Sequence, residues 1–465
     1  MRQIAERLVA RGHEVTVATT KLGSRTQLEH NGVKIVEFAV TGNLANGIFG
    51  EKDKYVEYIK AFDCDAILIK AAQQWTFDAL WPAFDEIECR KVFIPCGFSG
   101  LYEPSYEKYF QEMPNILRKF DHLIFYADHY RDTDFAREHG LSKFSIIPNG
   151  ASEIEFEASK DPTFRSRNGI PEDAFLLLTV GSITGMKGHR ELLESFVKLS
   201  SDGKSITFIM NGNPPPAPDV QISAQKNVDI EFHIASPFFA RVKTVFENEG
   251  FFALFGRVAK RVFAPLAKAL RVLPQVAYVF RSEGIRGIRY RMIQRMNGNV
   301  QGRRILALLP VKISNYSTPI AFWLSEAKSL QEGKQLLVTD FNREELVQAY
   351  MAADLFVFAS NIEYSPLVLF ETCAAGTPFL SVPVGNAEEI AEWTQGGFIC
   401  PAEKDGRGYT RADPKIINSK ILSLMRSPKL LEEKGVKCRK LWRQKFSWER
   451  ISEKYETVLQ GTSIN

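Results

Sequence analysis

Short apolar runs of strand length alternate with amphipathic stretches of helix length along almost the whole chain, and this alternation permits few folds. Strands separated by helices return in parallel, and a parallel sheet needs helices on both faces. In the first third the runs are Glu14–Thr20, Val33–Phe38, Ala66–Ala71, Lys91–Cys96, Leu123–Ala127 and Ser145–Pro148. A second series follows at Phe175–Gly181, Ile206–Asn211, Gln335–Thr339, Leu355–Ser360, Pro378–Val384 and Phe398–Cys400. Between them Ile147-Pro148-Asn149-Gly150 is a turn cluster that predicts a domain boundary. The expected fold class is α/β, with two Rossmann-like doubly wound domains, 1–150 and 151–440. Such domains hold ligands beyond the carboxyl ends of their strands.

Two places break the pattern. The chain opens in a helical stretch, Met1 to Arg11, followed by Gly12 and a strand. A doubly wound domain ordinarily begins with a strand that lies centrally in its sheet. The first strand of 1–150 is therefore expected to be missing, through a start placed downstream or a truncated product; a sheet built without it is the other reading. The second domain is interrupted as well. Asn211-Gly212-Asn213-Pro214-Pro215-Pro216 ends one strand, and the next begins only near Gln335, so 213–333 reads as an insertion.

Inside that insertion Phe255, Val258, Val262, Leu266, Leu270 and Leu273 share one helical face, opposite Arg257, Lys260, Arg261, Lys268 and Arg271. Pro265 is expected to kink this helix. Residues 241–304 carry 14 Lys/Arg and three Glu, a local balance of +11 against +4 for the whole chain. A basic amphipathic helix suits an anionic membrane surface, and equally a solvated face packed on its own domain. Nucleic acid is not an expected partner, because no binding module or zinc spacing accompanies the basic run.

Size and composition exclude other classes. The 465 residues suffice for two domains, and 45% apolar with 25% charged residues is a soluble composition. Six scattered cysteines without a C-x-x-C pair suit a reducing, cytoplasmic setting and no structural zinc. No apolar run approaches the roughly 20 residues of a membrane-spanning helix, and no secretory signal opens the chain.

The chemistry concentrates in Asn361-Ile362-Glu363-Tyr364-Ser365-Pro366-Leu367-Val368-Leu369-Phe370-Glu371. Leu355–Ser360 reads as a buried strand and Leu367–Ala375 as a helix, placing Glu363 in the connecting loop and Glu371 inside the helix. Ser365 suits the N-cap and Pro366 the first helical position. Free N–H groups and the helix dipole then make a phosphate seat flanked by two carboxylates. Thr179-Val180-Gly181-Ser182-Ile183-Thr184-Gly185-Met186-Lys187-Gly188-His189 is a second seat, where glycines admit a phosphate and Lys187 supplies a charge. It is not a P-loop. His13 reads as structural, and His189 as facing either a donor or solvent. Asp63-Cys64-Asp65 precedes its strand, so no metal is expected there.

These segments resemble retaining glycosyltransferase family 4. The resemblance rests on Glu363-x7-Glu371 with Ser365-Pro366-Leu367, on Met186-Lys187-Gly188, on Ile147-Pro148-Asn149-Gly150 and on Gly385-Asn386-Ala387-Glu388-Glu389. The opening Ala10-Arg11-Gly12-His13-Glu14-Val15-Thr16-Val17 belongs to it too. It implies the B-type glycosyltransferase fold (GT-B), with the donor held mainly by the second domain. Phe446-Ser447-Trp448-Glu449 implies a C-terminal helix, within 441–465, that crosses back to the first domain. By position, Glu371 would bind the ribose hydroxyls and Glu363 the transferred sugar. Lys187 and the N–H groups near Leu367 and Val368 would hold the diphosphate. Glu363 and Lys187 are the implied catalytic residues. Gly181, Ser182, Gly188, Ser365, Pro366, Leu367, Val368, Glu371, Asn386 and Glu389 are the implied donor-binding residues.

The implied activity is retaining, metal-independent transfer of a hexose-type sugar from a nucleoside diphosphate to an acceptor hydroxyl. No cofactor is called for. A glycan or lipid-linked acceptor is expected, in surface polysaccharide, lipopolysaccharide or glycolipid synthesis. The expected setting is cytoplasmic, and peripheral contact with an anionic membrane through 241–304 is one of the two readings of that basic stretch. Two departures from the family stand out: Ser182 replaces an arginine, and Phe93–Phe98 lacks a histidine. They favour the rival reading, a catalytically silent sugar-nucleotide or glycan-binding scaffold recruited to the membrane. An epimerase or sugar phosphorylase of the same fold is a further rival.

Overall fold

Parallel strands covered by helices are rich in apolar residues, and the second domain is built on a sheet of six parallel strands. A computed structural model describes residues 1–183, 185–213, 319–330 and 333–462 of the chain. In the first half the strands are β1 (Thr16–Thr20), β2 (Glu29–His30), β3 (Val33–Phe38), β4 (Val40–Asn43), β5 (Gly47–Gly50), β6 (Ala66–Lys70), β7 (Arg90–Ile94), β8 (His122–Phe125) and β9 (Phe144–Ile146). The second half holds β10 (Phe175–Val180), β11 (Ile206–Asn211), β12 (Lys334–Thr339), β13 (Leu355–Phe358), β14 (Phe379–Ser381), β15 (Gly397–Ile399), β16 (Ala402–Lys404) and β17 (Thr410–Ala412). Their sheet runs in the order β12-β11-β10-β13-β14-β15, with every pairing parallel. The order reverses between β10 and β13, which is where a doubly wound sheet opens its ligand crevice.

The first domain carries a parallel four-stranded sheet, β6-β7-β8-β9, and a separate three-stranded sheet, β1-β3-β2. Side chains of β7 alternate strictly: Val92 and Ile94 enter one core, and Phe93 the other. Both faces are therefore covered, as a parallel sheet requires. The Val92 side is closed by the opening helix Arg2–Ala10 and the C-terminal helix Trp448–Leu459, through Ile4, Leu8, Ile451, Tyr455 and Val458. Arg11 reinforces that contact, with Nη1 2.8 Å from Glu456 and Nη2 2.6 Å from Glu449. His13 Nε2 lies 2.6 Å from the other Glu456 oxygen.

Each strand expected from the sequence occurs, within a few residues of its expected bounds. The hairpins β4–β5 and β16–β17 were not expected. By compactness the chain divides into Met1–Pro215 with Glu326–Asn465, and Pro216–Ser325. Both Rossmann-like sheets belong to the first of these units. In the second unit the described residues form the start of a helix, Pro319–Lys328. The expected basic helix 255–273 and the charged stretch 241–304 lie outside the described residues. Among the described residues no helix is long and apolar enough to cross a membrane.

Candidate active site

The two strands at the order reversal each end in a loop that opens a helix, and the two loops meet. After β10, residues 181–183 and 185–188 precede the helix His189–Lys198, whose cap is Gly188. Gly188 has φ +67°, and a Cβ there would lie 1.8 Å from the Ala359 carbonyl oxygen. Only glycine lets this loop press against the end of β13. Met186 O accepts the Asn361 N–H at 2.9 Å, closing the same junction. After β13, residues 359–366 lead into the helix Leu367–Ala375.

These contacts bring Lys187 and Glu363 together. Lys187 Nζ is 2.5 Å from Glu363 Oε1, which also accepts the buried Ser360 hydroxyl at 3.0 Å. Glu363 Oε2 has no hydrogen-bond partner among the described residues. Neither helix at the crevice has a side-chain cap bond. In the second of them the Leu369 N–H turns back onto Pro366 O at 3.2 Å, and Leu367 and Val368 open the helix at the positive end of its dipole.

The cap itself differs from expectation. Pro366, not Ser365, occupies the N-cap, in an extended conformation with ψ 112°. The Ser365 hydroxyl is buried and has no partner among the described residues. With Pro366 at the N-cap, Ser365 sits one position before it, outside the place from which a side chain caps the first turn. Leu367 and Glu371 follow on one helical face, as positions i and i+4 do. Leu367 is exposed and Val368 half-buried. Gly181 is half-buried at the end of β10, and Ser182 is exposed beside it.

Glu371 is engaged. Its Oε2 accepts the Tyr350 hydroxyl at 3.0 Å, and its Oε1 lies 2.7 Å from Arg343 Nη2. Arg343 in turn grips Glu155 through two 2.8 Å bonds. Asn386 and Glu389 are engaged with the first domain. The Asn386 amide donates to Tyr126 O at 2.9 Å, and the Glu389 carboxylate accepts the N–H groups of Asp128 (2.8 Å) and His129 (3.1 Å). Burial raises the Glu389 carboxyl above its ordinary value, opposed by those two N–H groups.

His189 is 1% exposed, so the solvent-facing reading is overturned. Neither ring nitrogen has a partner among the described residues. Burial, with Lys187 adding a smaller push, lowers its pKa to about 4, so the imidazole is neutral at pH 7. The sequence reading missed Arg343, Tyr350, Tyr126, Tyr130 and Asp132. None carries a local signal; each reaches the motif only through the fold.

Comparison with known proteins follows the same division. Residues 324–431 match the family model "Glycosyl transferases group 1". Over 116 residues the chain is 23% identical to N-acetyl-alpha-D-glucosaminyl L-malate synthase of Bacillus anthracis, a match spanning 25% of this chain and 28% of that relative. The fold resembles sucrose-phosphate synthase from Thermosynechococcus elongatus (TM-score 0.60, 16% identity, covering 99% of this chain and 92% of that one). It also resembles Anabaena HepE in complex with UDP-glucose (TM-score 0.56, 14% identity, covering 99% and 94%). The chain has the two-Rossmann-domain GT-B fold of these glycosyltransferases, and its second domain carries the glycosyl transferases group 1 segment.

Proposed function

We propose that the protein transfers a sugar from a nucleoside diphosphate to an acceptor hydroxyl, with retention of anomeric configuration. The observation that carries this reading is the Lys187–Glu363 pair at 2.5 Å, set between two helix N-termini at the strand-order reversal. The Lys187 ammonium and the positive ends of two helix dipoles suit a leaving diphosphate. The carboxylate beside them suits sugar hydroxyls.

In the proposed reaction the donor diphosphate draws the Lys187 ammonium from Glu363. The bond from the anomeric carbon to the diphosphate oxygen breaks, and its electrons leave with the diphosphate. Lys187 and the helix N-termini stabilise that developing charge, the part a divalent cation plays elsewhere. Glu363 orients the sugar through its hydroxyls, and Glu371 takes the ribose. The acceptor oxygen attacks the oxocarbenium-like centre from the face of the departing diphosphate, which accepts the acceptor's proton.

UDP-glucose, bound by a protein of the same fold, is the first donor to try. Lys187→Ala and Glu363→Ala are expected to cut release of nucleoside diphosphate by about 10²–10⁴-fold with unchanged melting. Turnover within twofold of wild type would refute the reading. Nucleotide-sugar binding without any turnover in the wild type would favour the scaffold. The acceptor class proposed is a glycan or lipid-linked glycan at an anionic membrane face, on the +11 balance of 241–304. Pelleting with anionic liposomes tests it: equal pelleting with and without 241–304 rules it out.

A further inference from the structure

Asp63-Cys64-Asp65 lies in the connection between the helix Lys52–Ala61 and β6, and Cys89 immediately precedes β7. These two strands are parallel neighbours, with Ala66 opposite Arg90. The Arg90 N–H extends their ladder by donating to Asp65 O at 3.1 Å. Neighbouring strands run roughly 4.8 Å apart. The register therefore sets the two cysteines side by side at the amino end of the sheet, with 3.3 Å between their sulfurs. Among the described residues no three His, Cys, Asp or Glu side chains converge as a metal site. What the cysteine of this acidic motif meets is another thiol.

Both thiols are half-buried. Phe62, Asp63, Asp65 and Glu88 around them are exposed, so a small reagent can approach. Cys373 and Cys438 are also neighbours, since a Cβ added to Gly396 would lie 3.4 and 3.0 Å from their sulfurs. Both of these are fully buried, beyond the reach of a reagent in the folded protein. A disulfide holds its sulfurs about 2.05 Å apart, so Cys64 and Cys89 have about 1.2 Å left to close. Side-chain rotation of Cys64 in its exposed loop covers that distance. The surroundings divide the roles. Burial, the contact with Cys89 and the charges of Asp63 and Asp65 hold the Cys64 thiol above its ordinary pKa. Cys89 instead has the Lys91 ammonium on its own carbonyl oxygen, at 3.4 Å. A thiolate is the attacking form, so the first attack falls to Cys89.

We infer that Cys64 and Cys89 are an intrachain disulfide site, closed by a small-molecule disulfide and reopened by free thiols. With glutathione disulfide, the Cys89 thiolate attacks one sulfur, the S–S bond breaks and one glutathione leaves with the electron pair. Cys64 gives its proton to solvent and attacks the Cys89 sulfur of the mixed disulfide, and the second glutathione leaves. The two cysteines lose two electrons and two protons, and both end on the two glutathione thiols. In a reducing setting the pair stays open, and it closes as glutathione disulfide accumulates. The inference stands apart from the transferase reading.

Reduced full-length protein, incubated with glutathione disulfide at about pH 8 without denaturant, should yield the tryptic peptides 61–70 and 71–90 joined through Cys64 and Cys89. Cys373 and Cys438 should remain free thiols. Cys64→Ser should retain glutathione on Cys89, and Cys89→Ser should react about tenfold more slowly at Cys64. The closed form should melt about 3 °C above the reduced one, and dithiothreitol should reverse the shift. Glutathione left on either cysteine of the wild type, or a link formed only in denaturant, would overturn the inference. So would a linked form that melts lower, since the bond would then work against the native contact. Equal rates in the two single variants would overturn the order of attack.

Discussion

Arg343 Nη2 lies 2.7 Å from Glu371 Oε1, and the same guanidinium holds Glu155 through two bonds of 2.8 Å. The second glutamate of the motif is therefore oriented by a residue 28 positions earlier, on the helix that follows β12. Each carboxylate oxygen retains a lone pair for a ribose hydroxyl. Arg343→Gln should weaken UDP binding about tenfold, read by calorimetry. Arg343→Lys should restore little of it, because an ammonium cannot bridge both carboxylates in the plane of a guanidinium fork.

Gly188→Ala tests the junction of the two loops. The added Cβ would meet Ala359 O at 1.8 Å on a residue with φ +67°. A loss of about 2–4 kcal/mol is expected in denaturant unfolding. A cost below about 0.5 kcal/mol would mean that the loop has room to withdraw.

Acid stability divides between two buried groups with opposite signs. Burial raises Asp132 to about 6 from 3.8, against the pull of Tyr364 and the Gly97 and Thr133 N–H groups. The folded state then holds that proton more tightly than the unfolded one. Its stabilising contribution is full below about 4 and is lost as pH rises through about 6. His189, lowered from 6.5 to about 4, does the reverse: its contribution is present above 6.5 and lost as pH falls through about 4. Each effect is on the order of 3 kcal/mol, and in the wild type they oppose one another. Asp132→Asn should make melting more acid-sensitive between pH 6.5 and 4, and His189→Gln less so. Parallel pH profiles for both variants and the wild type would contradict this assignment.

Ile451→Ala tests the closure of the first domain by the C-terminal helix. Ile451 is fully buried against Val92, Ile94 and the opening helix. Its truncation should cost about 2–4 kcal/mol, read by denaturant unfolding.

The strands of both domains were legible in the chain because a parallel strand covered on both faces must be apolar at nearly every position. Leu176-Leu177-Leu178 and Leu355-Phe356-Val357-Phe358 are of that kind. The hairpins β4–β5 and β16–β17 were not, since their short, half-exposed strands, such as Ala402-Glu403-Lys404, carry no apolar run. The same holds at the site. Glu363 and Lys187 declare their chemistry by type and by place in loops after strands, and Glu371 by its spacing from Glu363, so the sequence alone pointed to two acids and a cation at the strand-order reversal. The partners of these residues were decided only in three dimensions. Arg343 reaches Glu371, Tyr130 reaches the Glu363 carbonyl and the Tyr126 N–H reaches the Tyr364 hydroxyl. A crossover fold brings such residues together by stacking whole strand–helix units, and a contact made that way leaves no periodicity or spacing along the chain.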